Sequence, residues 1–187
     1  MNFLAISGSL RAASLNSALL RATARLAPQG ISIQVFQGIG DLPLFNPDIE
    51  FTDPAPVAKL RAQVIAADAL IIASPEYAHG ITGVLKNALD WLVGGEAFVN
   101  KYVALFNASP SSIYAPASLK EVITVMSAHV VDEASIDLQI RGAKLDEEGI
   151  YADLKMSAAI RAALQALSDE VVEYREHEQN SVTKIFN

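Results

Sequence analysis

Short apolar runs alternating with stretches of helical periodicity constrain this chain more than any other feature of its sequence. Phe3-Leu4-Ala5-Ile6 runs into Ser7-Gly8-Ser9, a buried strand meeting a turn. Leu15, Leu19, Ala22 and Leu26 then recur at helical spacing, and Pro28 and Gly30 punctuate the end. Ile31, Ile33 and Val35 alternate as a second strand, and Ala69-Leu70-Ile71-Ile72-Ala73 forms a third. The same reading places helices at about 56–67, 83–93 and 116–127, strands at about 102–107 and 129–140, and a closing helix at about 153–176. Residues 41–56 hold four of the eight prolines and read as a stiff loop. Five strands alternating with five helices make an α/β protein, a parallel sheet with helices on both faces. Right-handed crossovers leave a doubly wound five-stranded sheet, either flavodoxin-like in order 2-1-3-4-5 or Rossmann-like. At 187 residues the chain fits a single domain, 1–187, with a polar tail from about 177.

Composition removes several classes of function. With no cysteine there is no disulfide scaffold, iron–sulfur cluster, thiolate zinc or thiol nucleophile. His79, His129 and His177 lack ligand spacing, which argues against a metal centre. A net charge of −7 argues against nucleic acid and anionic membrane as partners. No apolar run approaches the roughly 18 residues of a membrane span, and residues 1–6 lack the pattern of a signal peptide, so a cytoplasmic location is expected. The charge is unevenly placed. Residues 1–40 contain Arg11, Arg21 and Arg25 and no carboxylate, a charge of +3 that leaves −10 for the other 147. Either the first fifth of the chain keeps negative charge away from a bound anion, or it is a buried strand and an Ala/Leu-rich helix that need few charges.

In doubly wound sheets ligands bind beyond the carboxyl ends of the strands, which directs attention to residues 7–16, 74–83 and 107–116. The first loop, Ser7-Gly8-Ser9-Leu10-Arg11-Ala12-Ala13-Ser14-Leu15-Asn16, is neither a dinucleotide fingerprint nor a Walker loop. It also lacks the cysteine of a low-molecular-weight tyrosine phosphatase. What it offers is hydroxyl and amide donors and one arginine at a helix start, where free N–H groups favour an anion. Ser9, Ser14 and Asn16 can donate hydrogen bonds, and Arg11 can pair with a phosphate. Ser14 is also a good N-cap, but capping alone does not explain three serines and an arginine in eight residues. In the second loop, Ser74-Pro75-Glu76-Tyr77-Ala78-His79-Gly80-Ile81-Thr82-Gly83, Pro75 fixes the backbone and Tyr77 offers a flat face. That loop either edges a planar heterocycle or is a stiff connection with Tyr77 packed on the core; Thr82 is its N-cap for the next helix.

Together these segments resemble the NADPH-dependent FMN reductase family of flavodoxin-like quinone, chromate and azo-dye reductases. The resemblance rests on Gly8-Ser9-Leu10-Arg11-Ala12-Ala13-Ser14-Leu15-Asn16, on Pro43-Leu44-Phe45-Asn46-Pro47-Asp48, and on Pro75-Glu76-Tyr77 leading into Gly83-Val84-Leu85-Lys86-Asn87-Ala88-Leu89-Asp90-Trp91. It implies that Ser9, Arg11, Ser14, Leu15 and Asn16 surround the FMN phosphate. It places Pro75, Glu76, Tyr77 and Ala78 along the isoalloxazine and Ser109 near the ring. It also implies NADPH or NADH as co-substrate, with ping-pong hydride transfer to quinones, chromate, azo compounds or free flavin. No side chain is expected to act as a catalytic acid or base, because the flavin carries the chemistry. Main-chain N–H groups of 76–79 or 109–112 are expected to stabilise the negative charge of reduced flavin. The sequence departs from the family at Ala78, where many members have Asn, so a polar contact near the flavin is expected to be missing. It departs again at Ser109-Pro110-Ser111-Ser112-Ile113-Tyr114, where glycines are common, which reshapes the acceptor pocket. A flavodoxin-type electron carrier without NAD(P)H turnover is the alternative, and a flavin-dependent sensor a remoter one.

The helix at 83–93 bears on assembly. Val84, Leu85, Ala88, Leu89, Trp91, Leu92 and Val93 cover more than one face, and a single sheet can cover only one. A second subunit therefore meets the remaining face, or the proline-rich loop 41–56 folds over it within the chain. The family resemblance points to a homodimer or homotetramer.

Overall fold

Neighbouring residues of a strand point to opposite sides, and both sets are apolar here, so the sheet must be covered twice. In a computed structural model that describes residues 1–143 and 145–185, this is what the chain does. Strands β1 (Asn2–Ser7), β2 (Ser32–Val35), β3 (Ala69–Ala73), β4 (Tyr102–Asn107) and β5 (His129–Val130) form a parallel sheet in the order β2-β1-β3-β4-β5. That order is the flavodoxin-like one of the two alternatives. Ala5 pairs with Val35 on one side and Ile71 on the other, which centres β1 and β3 in the sheet. Phe3, Ala5, Ala69, Ile71 and Ala104 face α1 (Leu15–Leu26) and α8 (Leu154–Ile185), where Leu19, Leu164 and Leu167 are fully buried. Leu4, Ile6, Leu70, Ile72 and Val103 face α3 (Ala55–Ala66), α4 (Gly83–Val93) and α5 (Tyr114–Val125). Short helices α2 (Pro47–Glu50), α6 (Ile140–Ala143) and α7 (Glu147–Ala152) complete the chain. Residues 177–185, expected as a tail, continue α8; residues 186 and 187 lie outside the described residues.

Two expectations are corrected. The strand read at 129–140 is broken: β5 covers two residues, a 3-10 turn swings out at Asp132–Ala134, and β6 (Ile136–Asp137) returns to pair with the far end of β4. Ser135 closes the gap, because its Oγ accepts from the Leu105 N–H at 3.0 Å and donates to the Val131 carbonyl at 2.8 Å. A hydroxyl that mimics a missing ladder rung is invisible to periodicity.

The second correction concerns α4. Its Trp91 and Leu92 are each 1% exposed within the single chain. The indole Nε1–H donates to the Pro43 carbonyl at 2.7 Å, Asn87 Nδ2 donates to the same oxygen at 2.9 Å, and the Phe45 N–H donates to Asn87 Oδ1 at 2.7 Å. Phe45 meets the Trp91 ring edge-on at 5.1 Å. The proline-rich loop therefore covers the face that seemed to need a second subunit. Burying an indole of about 150–250 Å2 contributes about 4–6 kcal/mol of transfer free energy, enough to hold the loop down. The two motifs Pro43–Asp48 and Asn87–Trp91 are halves of one contact.

Candidate functional site

The carboxyl ends of β1, β3 and β4 open into a cleft lined by Ser9, Arg11, Ala13, Ser14, Leu15, Asn16, Ser74, Pro75, Glu76, Tyr77, Asn107, Ala108, Ser109, Ser112 and Arg141. Nine of the ten residues expected at a site are among them; Ala78 is not.

The first wall is the loop between β1 and α1. Ser14 caps α1, its Oγ accepting from the Ser17 N–H at 3.2 Å, and its hydroxyl proton remains free to donate outward. The first N–H groups of any α-helix have no acceptor inside it, and here they open at the cleft wall. Asn16 is only 7% exposed, yet its Oδ1 has no hydrogen-bond partner. A half-turn of the amide presents Nδ2 instead, so this buried group suits either a donor or an acceptor in the cleft. Gly8 lets the loops meet. A Cβ there would lie 2.7 Å from Ser74 Oγ and 3.1 Å from Thr82 Oγ1, and Thr82 Oγ1 donates to the Gly8 carbonyl at 2.6 Å. Thr82 also caps α4 by accepting from the Leu85 N–H at 3.4 Å, as expected from the sequence.

The second wall is the turn after β3. Tyr77 and Gly80 exchange two backbone hydrogen bonds of 3.1 Å, with Ala78 (φ 50°) and His79 (φ 59°) between them. Two successive left-handed residues make a type I′ turn, in which Asn is favoured at the first position. The family's preference for Asn at this point therefore has a conformational explanation, and Ala78 shapes the turn rather than lining the cleft. His79 stacks on Tyr114 with ring centroids 4.0 Å apart. Glu76 lines the cleft, but its Oε2 accepts from the Tyr114 and Ala115 N–H groups at 2.8 and 2.9 Å. That carboxylate caps α5, so the helix end nearest it is satisfied from within the protein and the α1 end remains open to an anion.

Asn107 organises the third wall. It is 6% exposed; Oδ1 accepts from the Ser109 N–H at 3.1 Å, and Nδ2 donates to the Ser112 carbonyl at 3.1 Å and to Asp137 Oδ1 at 2.7 Å. The sequence singled out neither Asn107 nor Arg141, and it gave Ser112 only as part of the 109–114 segment. The rule that ligands sit beyond strand carboxyl ends pointed to the segment after the fifth strand as well, and Arg141 stands there.

Charge settles the puzzle of the carboxylate-free first fifth. Arg21 Nε pairs with Glu147 Oε2 at 2.6 Å, and Arg25 pairs with Glu147 and Glu148, both on α7. The Arg21 hydrogen bond is the main reason that the Glu147 carboxyl titrates below the ordinary carboxylate range, and Glu148 is the main reason that Arg25 is raised. Arg11 and Arg141 have no ion-pair partner among the described residues. With Glu76 committed to α5, the charge that faces the cleft is positive.

A doubly wound sheet whose cleft carries a helix N-terminus, serines and unpaired arginines defines a protein that holds a phosphate-bearing ligand at the strand ends. The chain belongs to the NADPH-dependent FMN reductase family, whose model matches residues 1–139. It is 35% identical over 170 residues to an NAD(P)H-dependent FMN reductase of Pseudomonas aeruginosa, covering 88% of this chain and 91% of that one. It is 33% identical over 174 residues to a probable NADPH:quinone oxidoreductase of Oryza sativa subsp. japonica, covering 87% and 85%. Among solved structures it is similar to FerB, a flavoenzyme NAD(P)H:(acceptor) oxidoreductase from Paracoccus denitrificans, with a TM-score of 0.82, 26% identity, and 92% and 97% of the chains covered. Among the described residues no helix is long and apolar enough to cross a membrane, and no group of side chains could hold a metal ion.

Proposed function

We propose that this chain is an FMN-dependent NAD(P)H oxidoreductase that reduces quinones and similar small acceptors. The observation that carries the reading is the cleft itself: the open N-terminus of α1, the unpartnered buried amide of Asn16 and two unpaired arginines. These residues fit a phosphate with a polar tail. Ser9, Arg11, Ser14, Leu15 and Asn16 hold the phosphate, and Pro75, Glu76, Tyr77 and Ser109 flank the ring, with Ala78 setting the turn. Arg141 adds a second positive charge. When bound, FMN supplies the two-electron exchange between the nicotinamide and the acceptor. The protein supplies binding and orientation; of the expected 109–112 donors, the Ser109 and Ser112 N–H groups bond within the loop and Pro110 has none, so the Ser111 N–H is the one left to favour negative charge beside it. No side chain is required as an acid or base. The electron-carrier alternative is less favoured, because the relatives of this chain carry reductase names.

A single FMN-binding domain in the cytoplasm suits the acidic composition. A homodimer or homotetramer remains the proposed assembly, supported by Leu44 and Phe51, 83% and 86% exposed on the loop that covers α4. The test compares FMN with riboflavin. A charge-assisted bond to phosphate contributes about 1.5–3 kcal/mol, so Arg11→Gln is expected to weaken FMN about tenfold to a hundredfold and riboflavin hardly at all. Equal affinity of the wild-type protein for FMN and riboflavin would contradict phosphate anchoring. Failure of NADPH to bleach the bound flavin without air would favour the carrier.

A further inference from the structure

The break in the fifth strand creates a second cavity, behind the cleft and between α5 and the sheet. Its accessible volume is about 210 Å3, smaller than the roughly 300–1,000 Å3 of drug-sized sites but enough for one aromatic ring, since a cavity of roughly 150 Å3 takes benzene. Its walls are apolar: Ile72 and Leu105 from the strands, Ala115 and Leu119 from α5, and Ile136 from β6. Its charged groups are Lys120, Asp132 and Asp137. Lys120 Nζ donates to both oxygens of the exposed Asp132 at 2.5 and 2.7 Å, and Asp137 lines the same cavity. Asp137 Oδ1 accepts from Asn107, while its other oxygen takes no hydrogen bond among the described residues.

Ser74 and Asn107 line both this cavity and the cleft. Asn107 is the coupling element. The same Nδ2 that holds Asp137 on the cavity side holds the Ser112 carbonyl on the cleft side, and Oδ1 holds the Ser109 N–H. A ligand hydroxyl on the free oxygen of Asp137 draws the carboxylate charge away from the oxygen that Asn107 holds, and so acts through Asn107 on the 109–112 turn.

We propose that this cavity is a second small-molecule site, that it takes one uncharged aromatic ring bearing a hydroxyl, and that its occupancy is transmitted to the cleft through Asn107. The apolar walls take the ring, Asp137 accepts from the hydroxyl, and with Lys120 neutralised by Asp132 the charge of Asp137 disfavours an anionic ligand. Phenols and hydroquinones are this class. Hydroquinones are also what reduction of a quinone yields, so the site reads the product of the proposed reaction. That link rests on the function proposed above, whereas the cavity and its coupling to Asn107 do not.

Phenol is a suitable probe, because it exchanges no electrons with NADPH or flavin under these conditions. Calorimetric titration of the FMN-loaded protein is expected to show one phenol per chain with FMN retained. A seven-atom ligand should bind at about millimolar concentration. Ala117→Trp, which adds a large ring at a lining position, and Asp137→Asn, which keeps the oxygen for Asn107 but removes the charge, are each expected to weaken phenol at least about tenfold. Saturating phenol should change the FMN dissociation constant about threefold or more in the wild type, and FMN must change phenol affinity by the same factor. One-for-one displacement of FMN by phenol would overturn the proposal, since the ring would then lie in the cleft. No binding at tens of millimolar, or unchanged phenol affinity in both variants, would overturn the site. Unchanged FMN affinity would overturn the coupling. If the wild-type protein fails to retain FMN, the proposed function fails, and phenol titration of the flavin-free protein with the same two variants still decides the site.

Discussion

Replacing Glu76 separates two roles that the sequence merges. Family resemblance sets this residue along the isoalloxazine, whereas the structure shows its carboxylate capping α5 through the Tyr114 and Ala115 N–H groups. A hydrogen bond to a charged group contributes about 1.5–3 kcal/mol net. The two bonds do not count equally. Tyr114 is 48% exposed, so its N–H regains water in the variant, but Ala115 is 1% exposed and leaves its donor without a partner. One full bond plus about 0.5 kcal/mol for charge at a helix N-terminus gives a loss of about 2–3 kcal/mol for Glu76→Ala. Glu76→Gln keeps both acceptor contacts and loses only the charge, a cost of about 1 kcal/mol. For a chain of this size the melting temperature should fall by about 4–12 °C for Ala and about 2–4 °C for Gln. Calorimetric melts of the flavin-free protein measure this directly. If Glu76→Ala melts within a degree of the wild type while FMN affinity collapses, Glu76 acts on the flavin and the capping argument is wrong.

Two further outcomes follow from the turn and from the α1–α7 ion pairs. Ala78 in a left-handed conformation should be stabilised by Ala78→Asn, about 0.5–1 kcal/mol as a higher urea midpoint; a lower midpoint would show that the Ala methyl packs usefully. Glu147, held below the ordinary carboxylate range mainly by Arg21, binds fewer protons folded than unfolded as the pH drops. Its contribution is present above the unfolded-state value and is lost as pH falls through the folded one, so Glu147→Gln should flatten the acid limb of stability below about pH 5. Parallel wild-type and variant curves would rule this out.

The elements that periodicity and capping define were legible without a structure. The first four strand positions and the helix starts at Ser14 and Thr82 stand where the sequence places them, and nine of the ten expected site residues line one cleft, because each depends on residues within one or two turns of chain. The cleft was legible for the same reason: donors next to a helix start are a local pattern.

What the tertiary structure alone decided depends on pairs of residues far apart in sequence. Trp91 and Pro43 lie 48 residues apart, and their contact turns an apparent subunit face into interior. Glu76 and Tyr114 lie 38 apart, and their bond gives a residue expected along the flavin a helix-capping role that the sequence does not show. Arg21 and Glu147 lie 126 apart, and their ion pair assigns Arg21 to α7 while Arg11 of the same segment stays at the cleft. The fifth strand broke because a serine hydroxyl can replace a ladder rung, and the resulting cavity exists only where that gap meets α5. Hydrophobic periodicity reports which side of an element is buried. It does not report what buries it, because the covering residues come from anywhere in the chain, and that choice is made only when the whole sheet packs.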